Sequence, residues 1–235
     1  AASKARLFEM QAPERAAIIV GDDDASREIE RICSPAKAGA QSSAAALSSQ
    51  RSGLLPSQEN WPSLQGPHNL QNAVAAMAVC KRLGLDDGAV AQALHTYPGL
   101  PHRMERVREK GGILFVNDSK ATNPTATAPA LAAFPKIRWI LGGQAKSDDL
   151  DECAPHFGHV RKAYTIGEAG EMFASLLSPH MAVAECVTLG EAVKAAASEA
   201  EAGDTVLLSP ACASFDQFRD FEARGDAFRA AVGEL

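Results

Sequence analysis

The chain has 235 residues, of which 46% are hydrophobic and 22% charged, and its formal net charge is −6. This composition is typical of a soluble globular protein with one large or two modest domains, and the negative charge argues against broad binding to nucleic acid or anionic membranes. No run approaches the ~18 apolar residues of a membrane-spanning helix, and residues 1–11 lack the apolar core of a signal peptide.

The first third of the chain carries weak structural signals. Residues 4–10 are predicted to end a helix, residues 16–20 to form a short strand, and residues 25–32 to form an amphipathic helix. So few elements cannot cover a sheet face, so partner elements are expected upstream. Residues 34–66 are rich in Ser, Ala, Gln and Gly, which predicts a mobile or irregular region with weak strands at most.

Regular structure is predicted to resume at Gly66. Apolar spacing indicates a helix over 69–83, closed by Gly84, and a second helix over 87–96. The turn-rich segment 97–101 is the best candidate for a domain boundary, which divides the chain into residues 1–97 and 98–235.

Two amides stand at the start of the 69–83 helix. Asn69 and Asn72 are three residues apart and share a face, next to His68. Such a helix start suits a nucleobase or a phosphate. Simple N-capping is the alternative for one of the three side chains.

The rest of the chain alternates between strand and helix patterns. In chain order the predicted elements are a hairpin of strands 105–108 and 113–116, helix 124–133, strand 137–141, short helix 150–156, strand 160–166, helix 168–177, strand 182–187, helix 189–200, strand 204–208 and helix 216–232. This alternation predicts an α/β fold with a mostly parallel sheet covered by helices on both faces. Pro129 should kink or shorten the helix that contains it.

The most informative loop follows the predicted strand that ends at Val116. It places Asp118, Lys120 and Thr122 just before Asn123, which should cap a helix beginning at Pro124. Open α/β sheets present ligand-binding groups beyond the carboxyl ends of their strands. An ordinary loop with a surface Asp–Lys pair is the alternative reading of this segment.

Two more loops place polar groups at predicted strand ends. After strand 137–141, two glycines permit close backbone approach to a ligand and Lys146 adds an ammonium; a plain turn is the alternative. After strand 204–208, the segment 209–218 carries small residues and two serines that could wrap a carboxylate. Ser214 could instead, or in addition, cap the following helix.

Among the remaining polar residues, one is a candidate for phosphate binding and two histidines are considered as metal ligands. Arg103 is suited to phosphate, and a surface ion pair with Glu105 is its alternative. His156 and His159 have no third ligand at a compatible spacing, so no metal site is expected here.

The cysteines are scattered and form no CxxC pair. They indicate a reducing cytoplasm, where thiols serve as small core residues. Cys212 lies in a candidate functional loop, although a structural role is favoured. The five cysteines are Cys33, Cys80, Cys153, Cys186 and Cys212.

Five motifs taken together resemble those of the Mur ligases, and most closely of the members that add D-glutamate. In chain order they are GPHNLQNA, PGLPHRME, FVNDSKATNP, ILGGQAK and LLSPACASFDQFRDFEARGDAF. The resemblance covers residues 66–233 strongly, residues 1–33 faintly and residues 34–66 poorly. It implies a Rossmann-like domain at 98–235, preceded at 1–97 by part of an ATP-binding central domain.

The resemblance also implies an activity. Members of this family form an amide bond: ATP phosphorylates the carboxylate of UDP-N-acetylmuramoyl-L-alanine, and the amine of D-glutamate attacks the acyl phosphate. ATP and Mg²⁺ are the implied cofactors, and a cytoplasmic monomer acting in peptidoglycan precursor synthesis is the implied setting.

Site residues follow from the resemblance by motif position. Asn69 and Asn72 would face adenine, and Arg103 the phosphates. Asp118 and Lys120 would face ribose and phosphate as the catalytic pair. The D-glutamate site would be formed by Thr122, Lys146, Ser214 and the backbone around Phe221.

The chain also departs from the family pattern. No GxxxxGK[ST] phosphate loop occurs, and neither the family's own glycine–lysine loop, nor its UDP-binding domain, nor its modified, magnesium-binding lysine is found. We therefore expect a truncated chain that cannot ligate alone, with magnesium ligands mostly upstream. The alternatives are another Mur or folylpolyglutamate ligase and a non-catalytic module that binds a nucleotide or amino acid.

Overall fold

The structure is a computed structural model that describes residues 18–20, 45–47 and 58–235. The chain divides into two compact units, Ala1–Tyr97 and Pro98–Leu235. No helix in the described part of the chain is long and apolar enough to cross a membrane.

The first unit contains a pair of short strands and two helices. Strands β1 (Ile18–Val20) and β2 (Ala45–Leu47) pair in parallel. A 3-10 helix at Gln58–Asn60 precedes helices α1 (Pro67–Arg82) and α2 (Asp87–Thr96). The predicted helices at residues 4–10 and 25–32, and most of the segment 34–66, lie outside the described residues.

Local sequence explains where the two helices begin. Gly66 adopts a φ of 88° before α1, and Pro67 follows at a position where its missing N–H leaves no hydrogen bond unmade. Asp86 caps α2, because its Oδ2 accepts a hydrogen bond from the Ala89 N–H at 2.9 Å.

The second unit is a six-stranded sheet with helices between its strands. Its elements are β3 Glu105–Lys110, β4 Ile113–Asn117, α3 Pro124–Leu131, β5 Ile137–Gly142, a 3-10 helix Ala154–His159, β6 Val160–Ile166, α4 Gly170–Leu177, β7 Ala182–Glu185, α5 Leu189–Glu199, β8 Thr205–Leu208 and α6 Phe221–Gly233. The strand order is β3-β4-β8-β5-β6-β7, and only the β3–β4 hairpin is antiparallel within this sheet. The predicted α/β class with a mostly parallel sheet is confirmed.

Both faces of this sheet are buried. Trp139 and Leu141 of β5 pack on one face, with Phe173 of α4, and Ile140 packs on the other, with Phe228 of α6. Alternate side chains of β5 therefore enter opposite cores, which explains why this strand reads as an unbroken apolar run.

Several predicted helix boundaries were wrong, each at an end where a cap, a turn or a proline determines where the helix begins or stops. The predicted helix 216–232 begins at Phe221, because Asp220 caps it through a 2.7 Å hydrogen bond from the Ala223 N–H. Ser214 is therefore not the cap of this helix. The predicted helix 150–156 is a 3-10 helix at Ala154–His159, and α3 ends at Leu131, soon after Pro129.

Gly225 on α6 leaves room for a buried histidine. A Cβ atom at this position would lie 2.1 Å from His102 Nδ1, and the His102 ring is enclosed by Asn117 Nδ2 at 3.0 Å and by the Phe221 ring. Alanine normally stabilises a helix interior by about 1 kcal/mol relative to glycine. We expect the opposite sign here, because the ring cannot yield without breaking its contacts.

The Gly225→Ala variant should therefore lose about 1–3 kcal/mol of unfolding free energy in urea titrations. Removing the ring should restore room, so Gly225→Ala introduced into a His102→Ala background should be neutral or stabilising. Equal losses in both backgrounds would contradict the steric explanation.

Candidate active site

Three loops leave the sheet side by side at the carboxyl ends of parallel strands. Strand β8 lies between β4 and β5. The Asp118 loop (residues 118–123) follows β4, the Gly143 loop (residues 143–149) follows β5, and the Ser209 loop (residues 209–220) follows β8. Parallel α/β sheets bind ligands at this edge.

The structure brings three of the predicted substrate residues to this edge, one on each loop. Thr122 is half-buried, Lys146 is exposed and Ser214 is buried. The Gly143 and Ser209 loops are joined by two backbone hydrogen bonds, from Gln144 N to Ala213 O at 2.9 Å and from Ala213 N to Gln144 O at 3.0 Å. A change in one loop is therefore transmitted directly to the other.

Asp118 is buried at the start of its loop, with 7% of its surface exposed. Its Oδ1 accepts a hydrogen bond from the Met104 N–H at 3.1 Å, and its Oδ2 accepts one from the Ser209 hydroxyl at 2.9 Å. Ser209 Oγ also lies 3.1 Å from Thr127 Oγ1, so the carboxyl group is anchored to the Ser209 loop and to α3.

Burial raises the pKa of Asp118 to about 7, against the lowering effect of the hydrogen bonds from Ser209 and Met104 and of the charge of Arg103. Desolvation dominates because a carboxylate loses more by leaving water than two neutral donors return. The group can thus hold or release a proton near neutral pH, which is a property found often in functional sites.

Lys120 rests on the face of an aromatic ring. Its Nζ lies 3.7 Å from the centroid of Phe221, the first residue of α6. The ring quadrupole attracts the ammonium. Ser119 Oγ donates to Phe221 O at 2.8 Å, so the backbone on either side of this contact is also fixed. The predicted residues Lys120 and Phe221 are therefore in direct contact.

A buried arginine that sequence reasoning missed joins the Asp118 and Ser209 loops to the end of β5. Arg224 on α6 is 1% exposed. Its Nε donates to Ser119 Oγ at 3.0 Å and its Nη2 to Ser119 O at 2.9 Å and Cys212 O at 3.0 Å. Its Nη1 donates to Ala213 O at 3.3 Å and Gly142 O at 3.5 Å. The sequence signal was a lone basic residue in the FEARGDAF segment.

The glycines at the end of β5 permit this close packing. A Cβ atom on Gly143 would lie 2.4 Å from Ala213 O and 3.2 Å from Arg224 Nη1, and its φ of 127° is unfavourable for other residues. The sequence predicted that these glycines let the backbone approach a ligand closely. The atoms that lie close to Gly143 in the structure belong to the protein itself.

The segment before β3 supports the Asp118 loop. His102 O accepts a hydrogen bond from Lys120 N at 3.0 Å, and Arg103 is exposed. The suggested ion pair between Arg103 and Glu105 does not form, because Glu105 Oε1 is engaged by Arg229 at 2.6 Å and 2.9 Å. Arg103 is left free to act on a ligand as well as on Asp118.

The two predicted adenine-side residues lie in the first unit, on the first turns of α1. Asn69 Nδ2 donates to Gln65 O at 3.0 Å, and Asn72 Nδ2 donates to Asn69 Oδ1 at 3.5 Å. Neither amide caps the helix, because its N-cap position is Gly66 without a side-chain hydrogen bond. Burial lowers the pKa of the adjacent His68, whose buried Nδ1 has no hydrogen-bond partner.

Cys212 does not have the environment of a reactive thiol. It is fully buried, and burial raises its pKa to about 12. The thiol therefore stays protonated near neutral pH, so its contribution is packing together with the carbonyl that Arg224 binds. No group of three His, Cys, Asp or Glu side chains placed to hold a metal ion occurs within residues 58–235 or the two described strands.

Comparisons with known proteins identify relatives of this chain. Residues 102–212 match the family described as Mur ligase, glutamate ligase domain. A UDP-N-acetylmuramoylalanine–D-glutamate ligase from Novosphingobium aromaticivorans is 55% identical over 235 residues, which are 100% of this chain and 52% of that protein. The proteins of the same name from Zymomonas mobilis and Sphingopyxis alaskensis are 50% and 51% identical, with 51% and 53% of their lengths covered.

Solved structures show the same fold at lower identity. The Acinetobacter baumannii UDP-N-acetylmuramoylalanyl-D-glutamyl-2,6-diaminopimelate–D-alanyl-D-alanyl ligase is 17% identical with a TM-score of 0.62, covering 100% of this chain and 54% of that one. Escherichia coli FolC in complex with DHPP and ADP is 19% identical with a TM-score of 0.60, covering 98% and 56%. The chain spans about half the length of the curated relatives it matches. The second unit belongs to the Mur ligase family through the glutamate ligase domain, which residues 102–212 match.

Proposed function

We propose that this chain is part of an ATP-dependent ligase that adds D-glutamate to UDP-N-acetylmuramoyl-L-alanine. Residues 98–235 would bind the incoming amino acid, and residues 1–97 would contribute to ATP binding. The observation that carries the proposal is the meeting of the Asp118, Gly143 and Ser209 loops at one sheet edge. Relatives with 50–55% identity that bear the name of this ligase support it.

The proposed amino-acid site is cationic and lined by hydroxyls. D-Glutamate carries two carboxylates, which Lys146, the hydroxyls of Thr122 and Ser214, and the N–H groups at the start of α6 around Phe221 would hold. Lys146 is exposed, so its ammonium can turn toward a ligand without breaking a protein contact.

The proposed nucleotide site takes its charge from Arg103 and Lys120. Arg103 would contact phosphate, and the half-buried Lys120 would neutralise charge on the transferred phosphoryl group. Asp118, fixed through both of its oxygens, would orient groups on the ribose and phosphate side. In the first unit, taken by itself, the amides of Asn69 and Asn72 are proposed to contact adenine.

The reaction itself is mainly a problem of positioning. Once the alanyl carboxylate is activated as an acyl phosphate, the amine of D-glutamate must approach its carbonyl carbon from one face of the carbonyl plane. The tetrahedral intermediate then expels phosphate, and the amine loses a proton. Ordered geometry can supply several kcal/mol (about 7–11 in favourable cases). Both Asp118 oxygens already accept protein hydrogen bonds, and the described residues show no cluster of metal ligands. We therefore assign no Mg²⁺ ligand among the described residues.

Calorimetric titration of the chain with amino acids tests the proposed substrate. We expect saturable binding of D-glutamate and at least about tenfold weaker binding of L-glutamate, L-lysine and diaminopimelate. Preference for L-glutamate or for a diamino acid would favour another ligase of the same superfamily. In a complete ligase containing this chain, ADP release should require both D-glutamate and the UDP-sugar, and binding without such turnover would favour a non-catalytic module.

Lys146→Ala in such a complete ligase should raise the KM for D-glutamate by at least about tenfold, because a charge-assisted contact to carboxylate is lost. The KM for ATP should stay within about twofold. Lys136→Ala is the matched control, because Lys136 is also exposed but precedes β5 at its amino end. Steady-state kinetics measures both constants, and equal increases for the two substrates would show that Lys146 does not bind the amino acid.

A further inference from the structure

Arg224 differs from the partly buried arginines of this unit because it forms no ion pair with any carboxylate among the described residues. Arg138 pairs with Asp204 at 2.9 Å and with Glu199 at 3.6 Å, and Arg229 pairs with Glu105 and Asp226. No carboxylate in the described part of the chain lies within 4.0 Å of Arg224, although Asp216 acts on it through space.

Burying the guanidinium of Arg224 without an ion pair destabilises the folded state. Burial lowers the pKa of Arg224 to about 10, which still leaves the guanidinium charged at neutral pH. A buried charge without an ionic partner normally destabilises a fold by several kcal/mol. Its hydrogen bonds go to neutral oxygens of Ser119, Gly142, Cys212 and Ala213. These acceptors satisfy the donors without forming an ion pair, and the carboxylate of Asp216 acts on the guanidinium from beyond 4.0 Å.

The residues that Arg224 binds are neighbours, along the chain, of the residues proposed to hold the amino acid. Ser119 and Thr122 share the Asp118 loop, Gly142 immediately precedes the Gly143 loop that holds Lys146, and Ala213 precedes Ser214. The guanidinium uses all of its donors on the protein, so it cannot bind a ligand directly. A charge in this low-dielectric setting nevertheless attracts a nearby anion more strongly than an exposed ammonium does at the same distance.

We propose that Arg224 is the positioning and charge-selecting residue of the amino-acid site. By binding the Asp118 and Ser209 loops and the end of β5 it fixes the spacing of Thr122, Lys146 and Ser214. By its charge, which no carboxylate in the described part of the chain contacts within 4.0 Å, it favours a ligand with two carboxylates over one with a single carboxylate. This inference rests on the proposed binding of D-glutamate and adds the residue that selects for its second negative charge.

The proposal is tested by comparing two ligands that differ by one charge, each measured on the native chain and on a variant that lacks the charge of Arg224. D-Glutamate and D-glutamine differ by one negative charge and have nearly the same shape. Their dissociation constants are to be measured by calorimetry for the native chain and for Arg224→Met, with circular dichroism to verify folding. We expect Arg224→Met to lower the preference for D-glutamate over D-glutamine by about tenfold. A merely structural role would weaken both ligands by the same factor and leave the preference unchanged.

Two further variants complete the experiment. Arg138→Met removes an arginine whose charge is neutralised by carboxylates, so the preference should stay as in the native chain. Arg224→Lys keeps the charge but loses the planar fork, so both ligands should weaken by a similar factor of about 3–10 with the preference retained. Native affinities in Arg224→Lys would overturn the positioning role. If Arg224→Met does not fold, Arg224→Gln, which also removes the charge but keeps an amide donor, takes its place, and an unchanged preference in that variant would overturn the charge-selecting role.

The outcomes separate this inference from the proposed function. If the native chain does not bind D-glutamate, both fall together. If the native chain binds D-glutamate and Arg224→Met retains the full preference over D-glutamine, the proposed function stands and the role of Arg224 is refuted.

Discussion

The Asp118→Asn variant is expected to be more stable than the native chain at about pH 8 and equally stable at about pH 3. The pKa of Asp118 rises from 3.8 to about 7 in the folded state. Between these values the unfolded chain has released its proton while the folded chain retains it, so stability falls as the pH rises through this window. Above about pH 7 the loss is complete, and it amounts to about 2–4 kcal/mol.

Asparagine can replace Asp118 without leaving a polar group unpaired. Its carbonyl can accept the hydrogen bond from Met104 N, and its amide can donate to Ser209 Oγ, whose hydroxyl then points to Thr127. Urea titrations across this pH range measure the effect, with Asp148→Asn at an exposed position as control. A native chain and an Asp118→Asn variant with parallel pH profiles would contradict the raised pKa.

The same substitution should remove most of the ligase activity of a complete enzyme, because Asp118 is one of the two proposed catalytic residues. A gain in stability with a loss of activity is the combination expected of a functional site that is retained at a cost to the fold. A purely structural aspartate with the same raised pKa would show the gain in stability without the loss of activity.

The Gly142→Ala variant is expected to show the second large effect, a loss of at least about 4 kcal/mol of unfolding free energy. The added Cβ would lie 2.0 Å from Ile166 O, and the φ of 123° is strained for alanine. That oxygen accepts the hydrogen bond of Gly143 N at 3.1 Å, so it cannot move without opening the β5–β6 edge. A side-chain atom can rotate away from an added group, whereas this backbone atom is fixed by the sheet.

Gly190→Ala is the matched control for this prediction. Gly190 lies in α5 with nothing within 4 Å of an added Cβ and no positive φ. Alanine there should be neutral or stabilise by up to about 1 kcal/mol. Urea denaturation of both variants gives the comparison, and similar small effects at the two positions would mean that the close approach at Gly142 is relaxed in solution.

The sequence predicted best the elements whose ends carry local signals. Helix α2 has the predicted bounds 87–96, since Asp86 caps it, and strand β6 has the predicted bounds 160–166. The prediction that Asn123 caps a helix beginning at Pro124 is confirmed by a 2.9 Å hydrogen bond from Ala126 N to Asn123 Oδ1. Caps depend on atoms only a few residues apart, which a sequence displays directly.

The predicted start of α6 was wrong because an apolar pattern continues upstream of the helix. Phe215, Phe218 and Phe221 continue a helical apolar spacing upstream of the real start. Residues 215–220 instead form turns, in which Ser214 O accepts the hydrogen bond of Phe218 N at 2.8 Å. Phe215 is left 68% exposed, so its burial did not drive a helix.

By itself, the sequence determined the α/β class, the order of the elements and the loops on which polar side chains follow strands, because periodicity and capping are local properties of a chain. Only the tertiary structure decided that Arg224 reaches Ser119, 105 residues away along the chain, and that Asp118 is buried deeply enough to raise its pKa. Both depend on which strands become neighbours, since strand order determines which loops meet and how much water they exclude.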